Sequence, residues 1–431
     1  MAISADSDVL TKRGFVKASD IKVGDVVYDM EGKETIINEI QEEDLSIRII
    51  VRFGGIESIV VSQNQIMPVY VSPNKSIEYL PAIELFNLAN AGYIAKIPSV
   101  KIQGEGQLDI DPWLMGFWLG DGCKRYAKLS TSIDDIDYVK KKILEGGYSV
   151  GAIRRDKKFN QKGISVSVTQ GFQSQLRHYN LLMNKHVPAT VFASDMGYRR
   201  EVIRGLIDSD GMIEKNRGRA IFTNTDYNLA LGCVRLASSL GELVCFYPNI
   251  CHGFGKTVTC YNVTWTPIIN PAGIPRKRER VRERKVIEKR TCLNIALEVS
   301  YNQRIGLDFR TSSGTMIFSN FCIPFCAGCI PEISRDTANK LFRAMNTASM
   351  YTKEKARIQD NINRISPVTY NIQDIIKERR INDWNKKHIV IDGIEYRGYR
   401  DAANAVGCSE HTIQRALASK KGTIWGHIIS S

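Results

Sequence analysis

Two short stretches decide the fold: Leu114-Met115-Gly116-Phe117-Trp118-Leu119-Gly120-Asp121-Gly122 and Ile203-Arg204-Gly205-Leu206-Ile207-Asp208-Ser209-Asp210-Gly211. Each stretch reads as an apolar helix that ends in Asp-Gly. Gly116 and Gly120 are four residues apart, as are Gly205 and Ser209, so each helix carries small residues along one face. Two such faces can pack backbone against backbone. The sequence therefore predicts a tightly packed pair of helices.

The ends of the two helices carry the candidate chemistry. Gly122 and Gly211 suit a chain that leaves each helix in the left-handed conformation. If the helices lie side by side, Asp121 and Asp210 meet at one end. Two converging carboxylates form a hard-oxygen site for a divalent cation such as Mg²⁺, which polarises a phosphodiester and lowers the pKa of an attacking water. The alternative is a pair of core helices capped by Asp-Gly, which suits either motif taken alone.

The segments after the two helices repeat the same order of elements, which indicates an internal duplication. The first copy predicts a strand that ends at Ser132, a helix over 134–145 and strands through Val168. The second predicts a strand over 220–225, a helix over 226–240 and strands over 243–247 and 258–266. Asp134 and Asp226 are the predicted N-caps of the two helices. The repetition favours the interpretation that the two motifs act as a pair.

Composition limits the classes of function. The chain has 431 residues, a formal net charge of +13 and a pI of about 9.2, which suits a polyanionic partner. No apolar run approaches the ~18 residues of a membrane span, and no signal peptide is apparent, so we expect a soluble intracellular protein. Ten cysteines are too few for a disulfide scaffold and are expected mainly as buried thiols.

Residues 105–280 resemble the LAGLIDADG homing endonucleases, specifically the intein-borne kind. The resemblance implies a multidomain α+β protein with a pseudo-symmetric αββαββα core whose two β-saddles bind double-stranded DNA. It implies that Asp121 and Asp210 bind Mg²⁺, with Mn²⁺ able to substitute, and that both strands of a long asymmetric site are cut. Leu119 in the first motif and Asp208 in the second lie two residues before the site aspartates. The family does not use this position as a metal ligand. Two motifs in one chain predict a monomer.

The resemblance also implies a basic residue near each metal centre. Lys185, in Asn184-Lys185-His186-Val187-Pro188, matches the family's segment before the second motif. In the second half we select Lys277, with Lys285 as the alternative. Such a lysine stabilises charge on the phosphate or positions the water; the alternative for each is a solvated surface charge.

The run from Arg276 to Arg290 holds nine Lys or Arg residues against three Glu. It is interpreted as a phosphate-contacting segment. The proposed DNA contacts are Arg276, Arg278, Arg280, Arg282 and Arg284. A solvated helix face and a nuclear-import signal are the alternatives. The expected location is the nucleus if the source is eukaryotic and the cytoplasm otherwise.

Residues 1–104 with 291–321 resemble the all-β Hint fold of inteins, on Ser4–Thr11, Gly14 and Asp20–Val27. The alignment puts Ala2 at the position of the nucleophile and Gln65 at that of the block histidine, and it maps the terminal His-Asn onto Ser319-Asn320. Alanine supplies no thiol or hydroxyl for an acyl shift, and glutamine cannot act as an acid or base. The sequence therefore predicts a Hint domain that no longer splices; an unrelated β domain is the alternative.

Cys322, Cys326 and Cys329 have spacing that suits Zn²⁺, but a structural site needs four ligands and none follows at finger spacing. Buried or free thiols are the alternative. These cysteines open a helical linker region over 322–385.

Residues 386–431 resemble the small modular DNA-binding domain at the ends of intron-encoded nucleases. The predicted helix-turn-helix has a first helix over 399–406, a turn at 407–409 and a second helix over 410–419 with Ser409 as N-cap. Gln414, Arg415 and Lys420 are the predicted DNA contacts. A generic helical tail is the alternative.

Three functions compete. The first is a site-specific, metal-dependent DNA endonuclease. The second is an intein that retains splicing chemistry. Ala2 and Gln65 oppose it, as does Phe321, which stands where the family has a Cys, Ser or Thr after the terminal Asn. The third is a nuclease-silent protein that binds DNA or RNA, as maturases of this fold do. The presence of both aspartates favours cleavage.

Overall fold

A computed structural model describes the following residues: 1–45, 47–52, 58–71, 76–155, 163–253, 256–283, 289–291, 294–299, 305–328, 340, 388–392, 394–397, 399–406, 408, 410–418, 423–424 and 427–430. The chain divides into two compact units, Met1–Lys355 and Ala356–Ser431. Arg284, Lys285, Cys329, Ser409 and Lys420 lie outside the described residues, so the predictions made for them stay predictions.

The N-terminal part of the first unit is mainly β structure. Its strands before the first motif are β1 (Ile3–Ser4), β2 (Asp8–Thr11), β3 (Gly14–Lys17), β4 (Val26–Tyr28), β5 (Glu34–Asp44), β6 (Ile47–Arg52), β7 (Ser58–Ser62), β8 (Ile66–Val71), β9 (Glu78–Pro81) and β10 (Ala95–Pro98). One helix, α1 (Ala82–Asn90), interrupts the predicted all-β stretch. Leu85, Phe86 and Leu88 are buried on this helix. The sequence did not predict the helix, because the surrounding residues read as strands.

Strands from late in the chain complete this β region. They are β18 (Lys289–Thr291), β19 (Asn294–Val299), β20 (Ile305–Thr311), β21 (Thr315–Phe318) and β22 (Ile323–Cys326). The large sheet has the order β19-β6-β7-β1-β20-β5-β4-β2-β3, and a second sheet has the order β18-β10-β8-β9. Because Ile3 pairs with Leu307, the first strand depends on residues that follow the two-motif region.

The two-motif region lies in the chain between these two groups of strands. Its described residues form six α-helices, one 3-10 helix (Ala189–Ala193) and seven strands. Its first half contains α2 (Pro112–Asp121), β11 (Lys128–Ser132), α3 (Ile136–Glu145), β12 (Ser149–Arg155), β13 (Gly163–Thr169) and α4 (Phe172–His178). Its second half contains α5 (Met196–Asp208), β14 (Gly211–Ile213), β15 (Ala220–Asn224), α6 (Tyr227–Ser239), β16 (Cys245–Gly253), β17 (Lys256–Trp265) and α7 (Pro275–Arg278). The repeated order of elements follows the predicted duplication.

The two halves differ where each motif ends. In the second half, β14 pairs with β15 and gives a four-stranded sheet, β14-β15-β17-β16. In the first half, only a bridge between Gly122 and Leu129 occupies the corresponding place, and the sheet has three strands, β11-β13-β12. The backbone N–H of Cys123 donates to Lys128 at 2.8 Å, so the chain turns back before a full strand can form.

The motif helices pack as predicted from their small residues. A Cβ at Gly116 would lie 2.1 Å from the carbonyl oxygen of Val202, and a Cβ at Gly205 would lie 2.1 Å from that of Trp113. Gly120 faces Ser209, whose Oγ would lie 2.1 Å from an added Cβ. The backbones of α2 and α5 are thus in direct contact, which confirms the predicted helix pair.

The terminal glycines serve a different purpose from the one predicted. Gly122 has φ −80° and ψ 151°, an extended conformation, and Gly211 begins strand β14. A Cβ would lie 2.2 Å from the carbonyl oxygen of Trp118 at Gly122 and 2.5 Å from the Cα of Ile207 at Gly211. The left-handed prediction is wrong, because these glycines permit close approach to the preceding helical turn.

The helix caps agree with prediction in one half only. Asp226 accepts from the backbone N–H groups of Asn228 and Leu229 and caps α6 as predicted. Asp134 does not cap α3, because the N-cap residue is Asp135, which makes no side-chain cap bond. The carboxylate of Asp135 instead accepts from Arg276, a partner more than a hundred residues away.

Arg199 of α5 links three backbone segments and is fully buried. Its guanidinium donates to the carbonyl oxygens of Ser194 at 2.9 Å and Ser239 at 3.1 Å, and also to that of Ile102. Since Ile102 follows the N-terminal sheets, this side chain joins them to the two-motif region.

We expect Arg199→Met to lower the free energy of unfolding by about 3 kcal/mol, because it leaves buried carbonyl oxygens without donors. Arg200→Met, at the next position of α5 and only half-buried, is the matched control with little expected change. Urea denaturation of both variants checks this, and equal losses would contradict the proposed link.

The second unit contains β23 (His388–Ile391), β24 (Ile394–Arg397), α8 (Tyr399–Val406), α9 (Glu410–Ala418), β25 (Thr423–Ile424) and β26 (His427–Ser430). The two helices lie where the sequence predicts them. Their small core includes Ile389, Ala402, Ala403 and Ile413. Gln414 is half-buried and Arg415 is exposed, so α9 presents at least one of its predicted contacts.

Three of the described cysteines differ from the expectation of thiols. Cys251 and Cys260 form a disulfide between β16 and β17, and Cys326 is also disulfide-bonded. Cys322 is a buried thiol. No group of three or more potential metal ligands occurs within the described ranges, so the structure does not support the zinc prediction. No helix in the described part of the chain is long and apolar enough to cross a bilayer.

Candidate metal centre

The helix pair delivers its two terminal aspartates to one place. Both helices begin with a capping aspartate: Asp111 accepts from the N–H of Leu114 at 2.7 Å, and Asp195 accepts from that of Tyr198 at 2.8 Å. Asp121 is the last residue of α2, and Asp210 follows the end of α5 by two residues. The fixed beginnings and the close packing of the helices determine where these carboxylates lie.

The carboxylates of Asp121 and Asp210 lie close enough together to interact electrostatically. Burial, together with the negative charge of Asp210, raises the pKa of Asp121 to about 7. Burial also raises the pKa of Asp210. The Nδ2 of Asn224 donates to Oδ2 of Asp210 at 3.3 Å. Asp121 is half-buried and Asp210 is exposed. Two neighbouring carboxylates that repel each other form a donor set suited to a divalent cation, since a cation between them relieves the repulsion.

In the metal-free protein the raised pKa of Asp121 gives a stability prediction. The folded state holds a proton that the unfolded state has lost, between the unfolded pKa of about 3.9 and the folded pKa of about 7. The unfolding temperature in EDTA is therefore expected to fall as pH rises through this window and then level off.

The unfolding temperature of Asp121→Asn should fall less with rising pH than that of the wild type. At pH 8 in EDTA the variant should be the more stable protein. Differential scanning calorimetry at pH 5 and pH 8 measures both proteins. A constant difference in unfolding temperature between the two pH values would contradict the shift.

Lys185 and Lys277 both bind the carbonyl oxygen of the residue that precedes a site aspartate. The Nζ of Lys185 donates to Gly120 at 2.6 Å and lies 5.3 Å from the centre of the Trp118 ring. The Nζ of Lys277 lies 3.0 Å from the carbonyl oxygen of Ser209. Both lysines therefore lie at the ends of the motif helices, where the family resemblance implies a basic residue.

Lys277 is the more enclosed of the two lysines. It is 6% exposed, and its ammonium also lies within 2.8 Å of the carbonyl oxygens of Ile207, Asp208 and Gly211. Burial lowers the pKa of both Lys185 and Lys277 to about 8, against the opposing effect of nearby carboxylates. A lysine with a lowered pKa beside two carboxylates can donate or accept a proton near neutral pH.

Asp208 holds the helix pair to the loop that precedes α7, the helix that carries Lys277. Its carboxylate accepts from the indole Nε1 of Trp113 at 2.8 Å and from the backbone N–H groups of Gly273 and Ile274 at 2.9 Å. The sequence identified Asp208 as an acidic residue outside the ligand position but gave no sign of these partners. They are distant in sequence, and only the packed fold brings them together.

One arginine of the basic run has a partner within the protein. Arg276 forms a two-pronged ion pair with Asp135, with its shortest N–O distance at 2.5 Å. The side chain of Arg276 is still 49% exposed, so its contact with DNA stays a prediction. Arg278, Arg280 and Arg282 are exposed. They also stay candidates for phosphate contacts.

The predicted splicing residues divide between two places. Ala2 is buried, and its N–H donates to Oγ of Ser62 at 2.8 Å. The Nε2 of Gln65 donates to the carbonyl oxygen of Cys326 at 2.9 Å, at the end of β22.

Asn320 lies in the turn between β21 and β22. It donates to Asp8 at 3.2 Å and accepts from Nε of Arg235 at 2.7 Å, while the N–H of Ser319 donates to the carbonyl oxygen of Asp8. The assignment of the terminal position to Ser319-Asn320 is therefore corrected, since the segment that meets Gln65 is at Cys326. The sequence alone could not show whether the turn of the β21–β22 hairpin or the end of β22 lies beside Gln65.

Two families match parts of the chain. Residues 197–289 match the model of a LAGLIDADG-like domain, and residues 381–417 match that of the NUMOD1 domain. The first match contains the second motif and Lys277; the first motif lies before it. Both matches confirm resemblances predicted from the sequence.

Named relatives are similar over parts of the chain. A replicative DNA helicase DnaB of Mycobacterium intracellulare is 28% identical over 132 residues, 31% of this chain, and this chain spans only 19% of the helicase's length. Structures of variants of the homing endonuclease I-DmoI match 40% of this chain and 91% of theirs, at 14% identity and a TM-score of 0.27. The MchDnaB-1 intein matches 19% and 59%, at 19% identity and a TM-score of 0.17.

Proposed function

We propose that this chain, which contains a LAGLIDADG-like domain and a NUMOD1 domain, is a site-specific homing endonuclease that cuts double-stranded DNA with the help of Mg²⁺. The observation that carries the proposal is the meeting of Asp121 and Asp210 at the end of a glycine-packed helix pair. The net charge of +13 suits the phosphate backbone. A monomer suffices, because both carboxylates come from one chain.

The residues at the site have separate tasks in this account. Asp121 and Asp210 would hold the cation, which supplies charge stabilisation to the scissile phosphate and lowers the pKa of the attacking water. Asn224 orients Asp210 through its hydrogen bond. Lys185 neutralises charge that builds on the phosphate, and Lys277 fixes the turn from which Asp210 projects.

The two lysines are expected to respond differently to replacement by methionine. Lys277→Met should lower the free energy of unfolding by about 3 kcal/mol, because several buried carbonyl oxygens lose their donor. Lys185→Met should cost about 1 kcal/mol but slow cleavage about 100-fold. Urea denaturation and single-turnover cleavage rates measure the two effects. The reverse order of stability losses would contradict the assigned tasks.

We propose also that the N-terminal β region no longer splices. This rests on Ala2, which has no nucleophilic atom, and on Gln65, whose amide is bound to Cys326 in place of an acid–base group. Expression of the chain between two tagged flanking peptides tests the proposal. An intact fusion is expected, and a ligated pair of flanks would contradict it.

Cleavage of a randomised DNA library tests the endonuclease proposal. In Mg²⁺ the wild type is expected to select one long asymmetric site, and EDTA should abolish cutting. DNA that is bound but never cut would overturn the nuclease proposal. Preferential binding of RNA in competition would favour a maturase-like role.

A further inference from the structure

The structure shows which strand side chains point away from the helices in each half of the two-motif region. In the first half, Leu129, Val166 and Val168 are buried towards the helices. The register pairs Lys128 with Ser167 and Ser130 with Ser165 on the opposite face. The side chains on this face are almost all hydroxyl-bearing or basic: Lys128, Ser130, Ser132, Ser149, Arg154, Ser165, Ser167 and Thr169. We call it the polar face.

The second half presents a different surface. Phe222, Phe246 and Val263 are buried towards α6, where the ring of Tyr227 lies 5.7 Å from that of Phe246. The register places the next residues along each strand on the opposite face. This face carries Met212, Ile221, Thr223, Cys245, Tyr247, Asn249, the Cys251–Cys260 disulfide, Val258, Asn262 and Thr264. We call it the apolar face.

The outer strands of the apolar face are open to solvent, whereas Cys260, Asn262 and Thr264 in the middle of β17 are buried. Met212 is 52% exposed, Val258 is 42% exposed and Tyr247 is 39% exposed. Exposed apolar side chains grouped on one face indicate a binding surface. They are not needed for the core of this sheet, which its other face supplies.

Two observations identify double-stranded DNA as the occupant. Asp210 directly precedes β14, the edge strand that carries Met212, so the apolar face begins beside the candidate metal centre. Lys215 and Arg217 are exposed in the turn between β14 and β15, at the rim of the face. Basic side chains at the rim can contact DNA phosphates, and uncharged side chains between them can contact base edges in a groove.

Resting on the proposed endonuclease function, we propose that the two halves of the DNA target are recognised by different chemistry. The polar face reads hydrogen-bonding edges, with Arg154 and Lys128 directed to the O6 and N7 acceptors of guanine. The apolar face reads the C5-methyl groups of thymine by van der Waals contact through Met212, Ile221 and Val258. The target is thus chemically as well as sequentially asymmetric.

Modified bases test this recognition directly. Deoxyuridine differs from thymidine only by the methyl group, and 7-deazaguanine lacks the N7 acceptor. Replacing thymine by uracil in the half-site under the apolar face should weaken binding about fourfold per contacted methyl group. The same replacement in the other half-site should have little effect, and 7-deazaguanine should show the opposite pattern.

The experiment uses the full chain and the site recovered from the library, with Ca²⁺ in place of Mg²⁺ to measure binding without cutting. Repeating the library selection with Ile221→Ser and with Arg154→Ala assigns each half-site, since each variant should relax base preference in one half only. Met212→Ala, at an exposed position, should reduce the sensitivity to uracil without unfolding the protein.

Equal sensitivity of both half-sites to uracil, or no sensitivity in either, would overturn the inference while site-specific cutting still stood. If the wild type selects no site at all, the endonuclease proposal itself fails. The two failures are therefore distinguishable in one set of measurements.

Discussion

Replacing Asp121 or Asp210 with asparagine is expected to slow DNA cleavage by about three orders of magnitude, because each change removes a charged ligand from a site that stabilises several kcal/mol of transition-state charge. The protein should stay folded, since the two neighbouring carboxylates repel each other in the absence of a cation. DNA binding should be retained or strengthened, as one negative charge is lost near the phosphates. Single-turnover rates on the selected target measure the loss.

Asp226→Asn is the matched control for these variants. Asp226 lies in the second half of the same region, and asparagine caps a helix about as well as aspartate. Its cleavage rate should match the wild type. If either Asp121→Asn or Asp210→Asn cuts at the wild-type rate, that carboxylate is not a ligand.

Gly205→Ala is expected to lower the free energy of unfolding by at least about 3 kcal/mol. The added Cβ would lie 2.1 Å from the carbonyl oxygen of Trp113 and 2.5 Å from the backbone nitrogen of Phe117, so α2 and α5 must separate. Separation would also disperse the two aspartates, and cleavage should fall with stability. Denaturant unfolding and cleavage assays on the same preparation measure both losses.

Gly197→Ala, at the beginning of α5, separates helix propensity from packing. A Cβ there meets only Oδ1 of Asp195, at 3.1 Å, so this variant should be neutral or slightly more stable. Similar losses in the two variants would mean that the contact between the helix backbones is not what stabilises this region.

The sequence predicted the features that depend on local pattern. The helix pair and the capping of α6 by Asp226 follow from short spacings of residues with one plain physical preference. The positions of Lys185 and Lys277 came from the family resemblance and agree with the contacts made by both side chains. Each of these features could be predicted from residues that are close together in the sequence.

The features that the sequence missed depend on contacts between distant segments. Arg276 looked like one member of a basic run until the fold placed it against Asp135. Asn320 was chosen as the terminal position because of its neighbours in sequence, whereas Gln65 contacts Cys326. The sequence also could not show which face of the sheet each strand side chain points to. That depends on the pairing register, and a shift of one residue would exchange the two faces.

The two halves resemble each other at the helix ends and differ on their sheets. This pattern suits a protein in which cutting demands the same chemistry on both DNA strands, while recognition of an asymmetric target demands two different surfaces. The structural asymmetry extends to the strand beside each aspartate, which is β14 in the second half and a single bridge in the first.

The most direct test of the central claim is anomalous X-ray diffraction from crystals of the protein bound to its selected DNA in Mn²⁺. The account predicts an anomalous peak between the carboxylates of Asp121 and Asp210 and beside the scissile phosphate. A peak elsewhere on the chain, or clear density for the bound DNA with no metal between these two residues, would contradict it.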